Sequence, residues 1–230
     1  RSKISIHMSF INKPHSITTV SAIKAFKDNY IWLINQDMNG VLVDPGDAQP
    51  VFKYLKDNPL NINVILITHK HHDHMGGVKE ISDRFPNIKI YAPKNSIFCF
   101  DYHGLVEGDS VEIDNMNLKF NVLETPGHTD DHIVFYNDDA LFCGDTLFGC
   151  GCGRLFEGTA EEMFNSLQKI KGLRQSTKVY CAHEYTLDNI RFAMSLKKNN
   201  SLLNRRFDED RLKSITLPST IKVELETNPF

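Results

Sequence analysis

The chain has no apolar run approaching the roughly 18 residues that a transmembrane helix needs, so no such helix is expected. It also lacks a basic surplus. Its 26 Lys and Arg face 29 Asp and Glu, a net charge of −3, which is not the footprint of a nucleic-acid binder. Cysteine is scarce: Cys99, Cys143, Cys150, Cys152 and Cys181 make an odd count without framework spacing, which argues against a disulfide scaffold and for a reducing compartment. Cys99, Cys143 and Cys181 lie in apolar runs and read as core thiols, while Cys150-Gly-Cys152 reads as small residues in a tight loop. No secretory segment, internal repeat or low-complexity tract occurs, and the expected location is cytoplasmic. The first 27 residues carry no Asp or Glu, as transit segments do, although a cloning remnant ahead of Met8 explains the first residues as well.

What is present is an ordinary globular composition, 41% hydrophobic and 24% charged over 230 residues, enough for a sizeable core without staples. A metal in such a chain serves chemistry rather than folding. Short β-branched runs recur between turn residues. Ile31–Asn35 and Val41–Asp44 flank Asp37-Met-Asn-Gly40 and predict a hairpin turning at Asn-Gly. Val64–Thr68 reads as a strand buried on both faces. Further strands are expected at 88–91, 111–113, 118–123, 133–136, 140–143 and 179–182, with a helix near Lys79–Phe85. Thr159 and Glu162 form a capping box before an apolar stripe of Met163, Phe164, Leu167 and Ile170. After His183 the character turns helical, with Thr186 as a cap and Leu187, Ile190, Ala193 and Met194 on one face. The expected class is α+β, with a catalytic part over 1–182 and a small helical part over 183–230.

The most informative stretch is Thr68-His69-Lys70-His71-His72-Asp73-His74, four of the chain's 10 histidines in six residues. Histidine is a poor choice for mere solubility, and the loop follows a buried strand directly. Imidazole and carboxylate are the donors that zinc and similar ions accept. His69 and His71, two apart in extended chain, face one side and can share an ion. Asp73 and His74, at the turn into a helix, can face a second, and His72 has the opposite parity. Two ions need further donors. His128, Asp145 and His183 each end a strand and begin a turn, and Asp44 has the same placement, suited to orienting a ligating histidine from behind.

With these residues the chain resembles the metallo-β-lactamase superfamily, whose His-x-His-x-Asp-His signature matches His69–His74. Within it, the resemblance is to glyoxalase II, the hydroxyacylglutathione hydrolases. It runs from Ser21 to Phe230 through Asp28-Asn-Tyr-Ile31, Val43-Asp-Pro-Gly46, Thr125-Pro-Gly-His-Thr129, Gly144-Asp-Thr-Leu-Phe148, Gly151-Cys-Gly-Arg154, Phe156-Glu-Gly-Thr159 and Ala182-His-Glu-Tyr-Thr186. The resemblance implies an αββα sandwich with a helical C-terminal domain. It also implies one ion held by His69, His71 and His128, another by Asp73, His74 and His183, and Asp145 bridging, with Asp73 and Asp145 as the catalytic carboxylates. Arg154 and Tyr185 match positions that bind glutathione, and Phe156 one that is Tyr in some relatives. Asp28, Asn29 and Tyr30 match a motif to which no chemistry is assigned. Two departures stand out. Asp131 occupies a family Gly position, where a positive φ would be tolerated by Asp better than by most residues but at some backbone cost, and the chain ends at Asn228-Pro-Phe230 where relatives continue with basic residues, so it looks truncated.

The implied reaction is hydrolysis of S-D-lactoylglutathione to D-lactate and glutathione. Two ions roughly 3.5–4 Å apart would activate a water between them. Zinc is the expected metal, with iron and manganese suited to the same donors. The expected partner is a small-molecule glutathione thioester, with no nucleic acid or membrane, and the expected assembly a monomer. One rival is a persulfide dioxygenase on the same fold with one iron; its usual Thr-Asp-Phe after Gly-Arg is replaced here by Leu155-Phe156-Glu157. A nuclease or an inactive metal binder fits less well.

Overall fold

The computed structural model of the chain describes residues 17–196 and 200–230, so the readings that concern the residues ahead of Met8 lie outside it. Two six-stranded sheets make the frame. The first contains β1 (Thr19–Ala25), β2 (Asn29–Gln36) and β3 (Asn39–Val43), followed by helix α1 (Ala48–Asp57) and β4 (Asn61–Leu66). Helices α2 (His72–Met75) and α3 (Val78–Arg84) then lead to β5 (Lys89–Pro93) and β6 (His103–Leu105) at its edge. The second sheet is built from β7 (Ser110–Ile113), β8 (Leu118–Glu124), β9 (Ile133–Tyr136) and β10 (Ala140–Gly144). A small hairpin, β11 (Leu147–Phe148) and β12 (Gly151–Cys152), precedes α4 (Ala160–Lys171) and β13 (Lys178–Cys181). The chain ends with α5 (Thr186–Leu196), α6 (Ser201–Asp210), β14 (Ser219–Thr220) and α7 (Ile221–Thr227).

Strand β2 shows why the layers stack as they do. Its side chains alternate, as the period of two requires. Tyr30, Trp32 and Ile34 enter the core between the sheets, with Phe120, Phe135 and Phe142 from the second sheet. Ile31 and Leu33 face the other way, onto Val51 of α1 and Ile81 of α3. Each side chain so buried contributes about 1.5–3 kcal/mol. On the far side, Ile170 of α4 and Ile221 of α7 join the second sheet's core. The result is the expected αββα sandwich. Among the described residues no helix is long and apolar enough to cross a membrane.

Parallel pairing positions the site. β3 runs parallel to β4, and β10 to β13, so the loops carrying Asp44, His69, Asp145 and His183 leave the strands at the same kind of end. The segment after His183 is not purely helical, because β14 pairs antiparallel with β13 and extends the second sheet.

Several local expectations need correction. The β2–β3 turn is Asp37-Met38, with Gln36 opposite Asn39, and Asp37 takes the positive φ of 53° that Asp tolerates. Gly40 lies inside β3 instead, where a Cβ would come within 2.8 Å of the Ile62 side chain. Helix α1 has no counterpart among the expected elements. Pro50 masks it, yet proline is tolerated in a first turn, and Asp47 caps it by accepting from the Gln49 amide at 2.9 Å. The Thr159–Glu162 capping box forms, but Phe164 is exposed rather than part of the buried stripe. Cys143, Cys150 and Cys181 are buried free thiols, whereas Cys99 is exposed. Asp131 does not take a positive φ, so the expected backbone cost is absent; the loop turns at Gly127 with φ 146°. The Asp131 carboxylate is buried and accepts from the Ser96 hydroxyl.

Candidate metal centre

His69, His71, Asp73, His74, His128, Asp145 and His183 come together where the strand ends meet. His71 Nδ1 lies 3.1 Å from His69 Nε2 and 3.0 Å from His128 Nε2, so three ring nitrogens converge. On the other side, Asp73 Oδ2 lies 3.6 Å from His74 Nε2 and 3.5 Å from His183 Nε2. Asp145 stands between the groups. Its Oδ2 is 3.3 Å from His128 Nε2 and 3.4 Å from His183 Nε2, and its Oδ1 is 3.5 Å from His74 Nε2. One carboxylate thus faces both sets of donors. His72, inside the same motif, is exposed.

Four of the five imidazoles are aimed by an acceptor behind them. His74 Nδ1 donates to Asp44 Oδ2 at 3.0 Å, His183 Nδ1 to Asp28 Oδ1 at 2.8 Å, and His128 Nδ1 to Arg154 O at 2.7 Å. His69 Nδ1 meets Thr68 Oγ1 at 3.0 Å, and that hydroxyl donates onward to Asp44 Oδ2 at 2.7 Å. A proton held on Nδ1 leaves the Nε2 lone pair facing the centre. Asp44, suspected from sequence, therefore fixes two rings at once. Gly46 allows this packing, since a Cβ there would fall 1.8 Å from Asp73 O.

The electrostatics describe a pocket built for cations. Burial lowers His69 well below the usual imidazole range, assisted by His74. Burial opposes charge on His74 and His183 as well, but Asp145 outweighs it, with Asp44 on His74 and Asp73 on His183. His74 is raised well above its usual value and His183 to about 10. Asp73 and Asp145 are held low: burial works against their charge, and His183 and His74 overcome it. His74 Nε2 and Asp145 Oδ1 are buried without a hydrogen-bond partner. Left unsatisfied, such atoms cost about 1–3 kcal/mol each. A cation between them satisfies both, so the donor set fits a divalent metal.

Sequence reasoning assigned no role to Asp28, Asn29, Tyr30 and His132, and all four support the centre. Asn29 Nδ2 donates to Asp73 Oδ2 at 2.9 Å, and Tyr30 Oη to Glu184 Oε2 at 2.7 Å, fixing the chain next to His183. His132 Nε2 accepts from the Asp145 amide at 3.1 Å and its ring stacks 4.7 Å from that of His69; burial lowers its pKa to about 3, keeping it neutral. The signal was partly there: Asp28-Asn-Tyr30 stood out as a motif, but its partners lie about 45 and 155 residues away.

A cleft of about 340 Å³ opens over the centre. Tyr185 stacks on His183 at 4.8 Å and meets Phe148 edge-on at 5.2 Å. Phe156 stands edge-on to His71 and His128, with the Arg154 guanidinium 5.0 Å over its ring. One wall is aromatic and one cationic, around a set of polar donors, which suits a small ligand with an anionic part.

Residues 26–183 match the family described as the metallo-beta-lactamase superfamily, and residues 184–230 the hydroxyacylglutathione hydrolase C-terminus. Among curated proteins, the chain is 49% identical over 218 residues to the hydroxyacylglutathione hydrolase of Aliivibrio fischeri, covering 92% of this chain and 85% of that protein. That of Aliivibrio salmonicida is 50% identical over 216 residues, with the same coverage. Among solved structures, ETHE1 from Myxococcus xanthus superposes with a TM-score of 0.70 at 26% identity, over 93% of this chain and 83% of that one. BLEG-1 B3 metallo-beta-lactamase gives 0.71 at 24% identity, over 92% and 99%, a likeness of fold.

Proposed function

The chain belongs to the metallo-β-lactamase superfamily and, within it, to the hydroxyacylglutathione hydrolases, and on that premise we propose that it hydrolyses S-(2-hydroxyacyl)glutathione thioesters at a two-metal centre. The observation that carries the reading is Asp145, whose carboxylate faces the His69–His71–His128 group and the Asp73–His74–His183 group at once. His69, His71 and His128 would hold one ion, Asp73, His74 and His183 the other, and Asp145 both. Zinc, two ions per chain, is the proposed metal, since nitrogen and carboxylate oxygen suit it without thiolate.

Bound there, metal would supply Lewis acidity and make water acidic enough, with a pKa of about 7, to act as a nucleophile near neutral pH. The protein's own contribution is orientation. Asp28, Asp44, Thr68 and Arg154 O hold the imidazole rings, so little reorganisation is needed when charge develops. Arg154 offers a planar fork to a glutathione carboxylate, and Tyr185 presents its hydroxyl from beside His183. Phe148 and Phe156 wall the cleft and limit water at the carbonyl. As the carbon–sulfur bond breaks, the glutathione thiol, with a parent pKa of about 8.5, leaves as thiolate and needs little acid assistance. Residues 183–230 act in this reading as the substrate-binding part, and the products are the 2-hydroxy acid (D-lactate from the lactoyl ester) and glutathione.

The proposal is tested by measuring metal content and thioester hydrolysis on one purified sample. Two ions per chain with turnover of S-D-lactoylglutathione are expected. One iron per chain, with oxygen consumed in the presence of glutathione persulfide, would instead favour the dioxygenase.

A further inference from the structure

Phe148 and Arg154 line the cleft from the two ends of a glycine-rich segment whose middle is gripped by the C-terminal helices. The end nearer the centre is pinned locally. The Gly153 amide donates to Thr146 O at 3.1 Å, and Arg154 O accepts from His128. In the middle, the Cys150 amide donates to Glu224 Oε2 at 2.7 Å, and Asn228 Nδ2 donates to Gly151 O at 2.9 Å. Cys150 has φ 58°, a left-handed conformation that a non-glycine residue keeps only where its surroundings enforce it. Glu224 holds its amide, while Thr227 O accepts from Cys150 Sγ at 3.2 Å and Asn189 Nδ2 donates to Gly149 O at 3.0 Å. Glu224 is buried, and Arg206 Nη2, also buried, donates to its Oε1 at 2.7 Å. A buried ion pair is weak evidence for stability, because packed apolar side chains often serve as well. Holding the Cys150 amide gives this pair a different use.

We propose that Glu224, fixed by Arg206, is a positioning residue for the glutathione part of the substrate: by holding Cys150 it sets where Phe148 stands over the cleft, edge-on to Tyr185. This rests on the functional reading above. The metal side is insulated from it, since Gly153 and Arg154 O keep their own hydrogen bonds when Glu224 is replaced. Loosening the segment therefore weakens substrate binding and leaves metal loading in place.

The test compares metal-loaded wild type, Glu224→Gln and the double variant Arg206→Met/Glu224→Leu. Glutamine keeps an acceptor for the Cys150 amide, while the apolar pair keeps volume and removes both charges together. KM for a glutathione thioester should rise about threefold in Glu224→Gln and about tenfold in the double variant, with kcat changing less than about twofold. KM for a glutathione-free thioester should move far less, and metal per chain should match wild type. Amide hydrogen exchange at 148–152 should quicken by about tenfold or more in the double variant. An equal rise in KM for both thioesters, or slow exchange retained at Cys150, would overturn the proposal. A wild type that cleaves no glutathione thioester would refute the functional reading instead, and the exchange measurement would still decide the role of Glu224.

Discussion

Replacing Asp28 asks whether the carboxylate behind His183 sets the affinity of one metal site and leaves the other alone. Asp28 Oδ1 accepts from His183 Nδ1 at 2.8 Å, and its side chain is 28% exposed. A hydrogen bond to a charged group is worth about 1.5–3 kcal/mol and a neutral one about 0.5–1.5, and partial exposure argues for the lower end. Asp28→Asn keeps an acceptor and loses the charge, a difference of about 1 kcal/mol, or roughly fivefold in affinity. Asp28→Ala loses the bond as well, about 1.5–2 kcal/mol, or roughly 10- to 30-fold. Neither substitution removes the backbone bond from Glu184 N to Asp28 O, so the strand contact survives. The assay is titration of metal-free protein with zinc against a competing chelator, resolving two binding steps. The step that depends on His183 should weaken in the order wild type, Asn, Ala, while the step at His69, His71 and His128 stays fixed. Two steps moving together, or neither moving, would refute the assignment of Asp28 to one site.

Three other outcomes are expected. Asp145→Ala removes the oxygen pair that faces both groups, so metal analysis should find at least one ion fewer per chain and assays almost no turnover, with the circular-dichroism spectrum retained. Tyr185→Phe should raise KM and spare kcat, the mark of lost uniform binding; a drop in stability without a kinetic change would make Tyr185 a packing residue. Chelating the metal should abolish activity but not the fold, because the core around Phe120, Phe135 and Phe142 is separate from the donors. If free metal stood about 1,000-fold above the dissociation constant of each of the two proposed sites, its removal should lower Tm by roughly 20 °C.

Local order was legible where a single segment carries it. The strand at Ile31–Asn35, the strand before His69 and the Thr159–Glu162 capping box each need only neighbouring residues, and each is found. The seven candidate donors stood out because they crowd one His-rich loop and the ends of strands, and the structure brings them together. What sequence hid depends on contacts between distant segments. Gly40 looked like a turn residue and is a packing residue, because Ile62 fills the space where its side chain would be. Asp131 looked like a strained replacement for glycine and is instead a buried acceptor for Ser96, with the turn made four residues earlier. Asp28 and Asn29 had no visible use until His183 and Asp73 were placed against them.

The charge balance favours two divalent ions over one. Four carboxylates, Asp28, Asp44, Asp73 and Asp145, contact the imidazoles of the centre, a formal charge of −1 each and −4 together. Two divalent cations cancel that charge; one leaves half of it among groups that are largely out of water. Uncompensated charge in such a place is expensive, and proteins avoid it by pairing or by protonation. Protonation is the second route open to these groups: burial opposes it, but Asp145 and the other carboxylates raise His74, and His183 to about 10. A single ion at His69, His71 and His128 would leave Asp73, His74 and His183 relying on protons. Two ions free both histidines to bind through Nε2, with Nδ1 already committed to Asp44 and Asp28. The carboxylates behind the rings thus support the proposed pair of ions, since a single ion at the other group would leave His183 and Asp73 without a metal to bind.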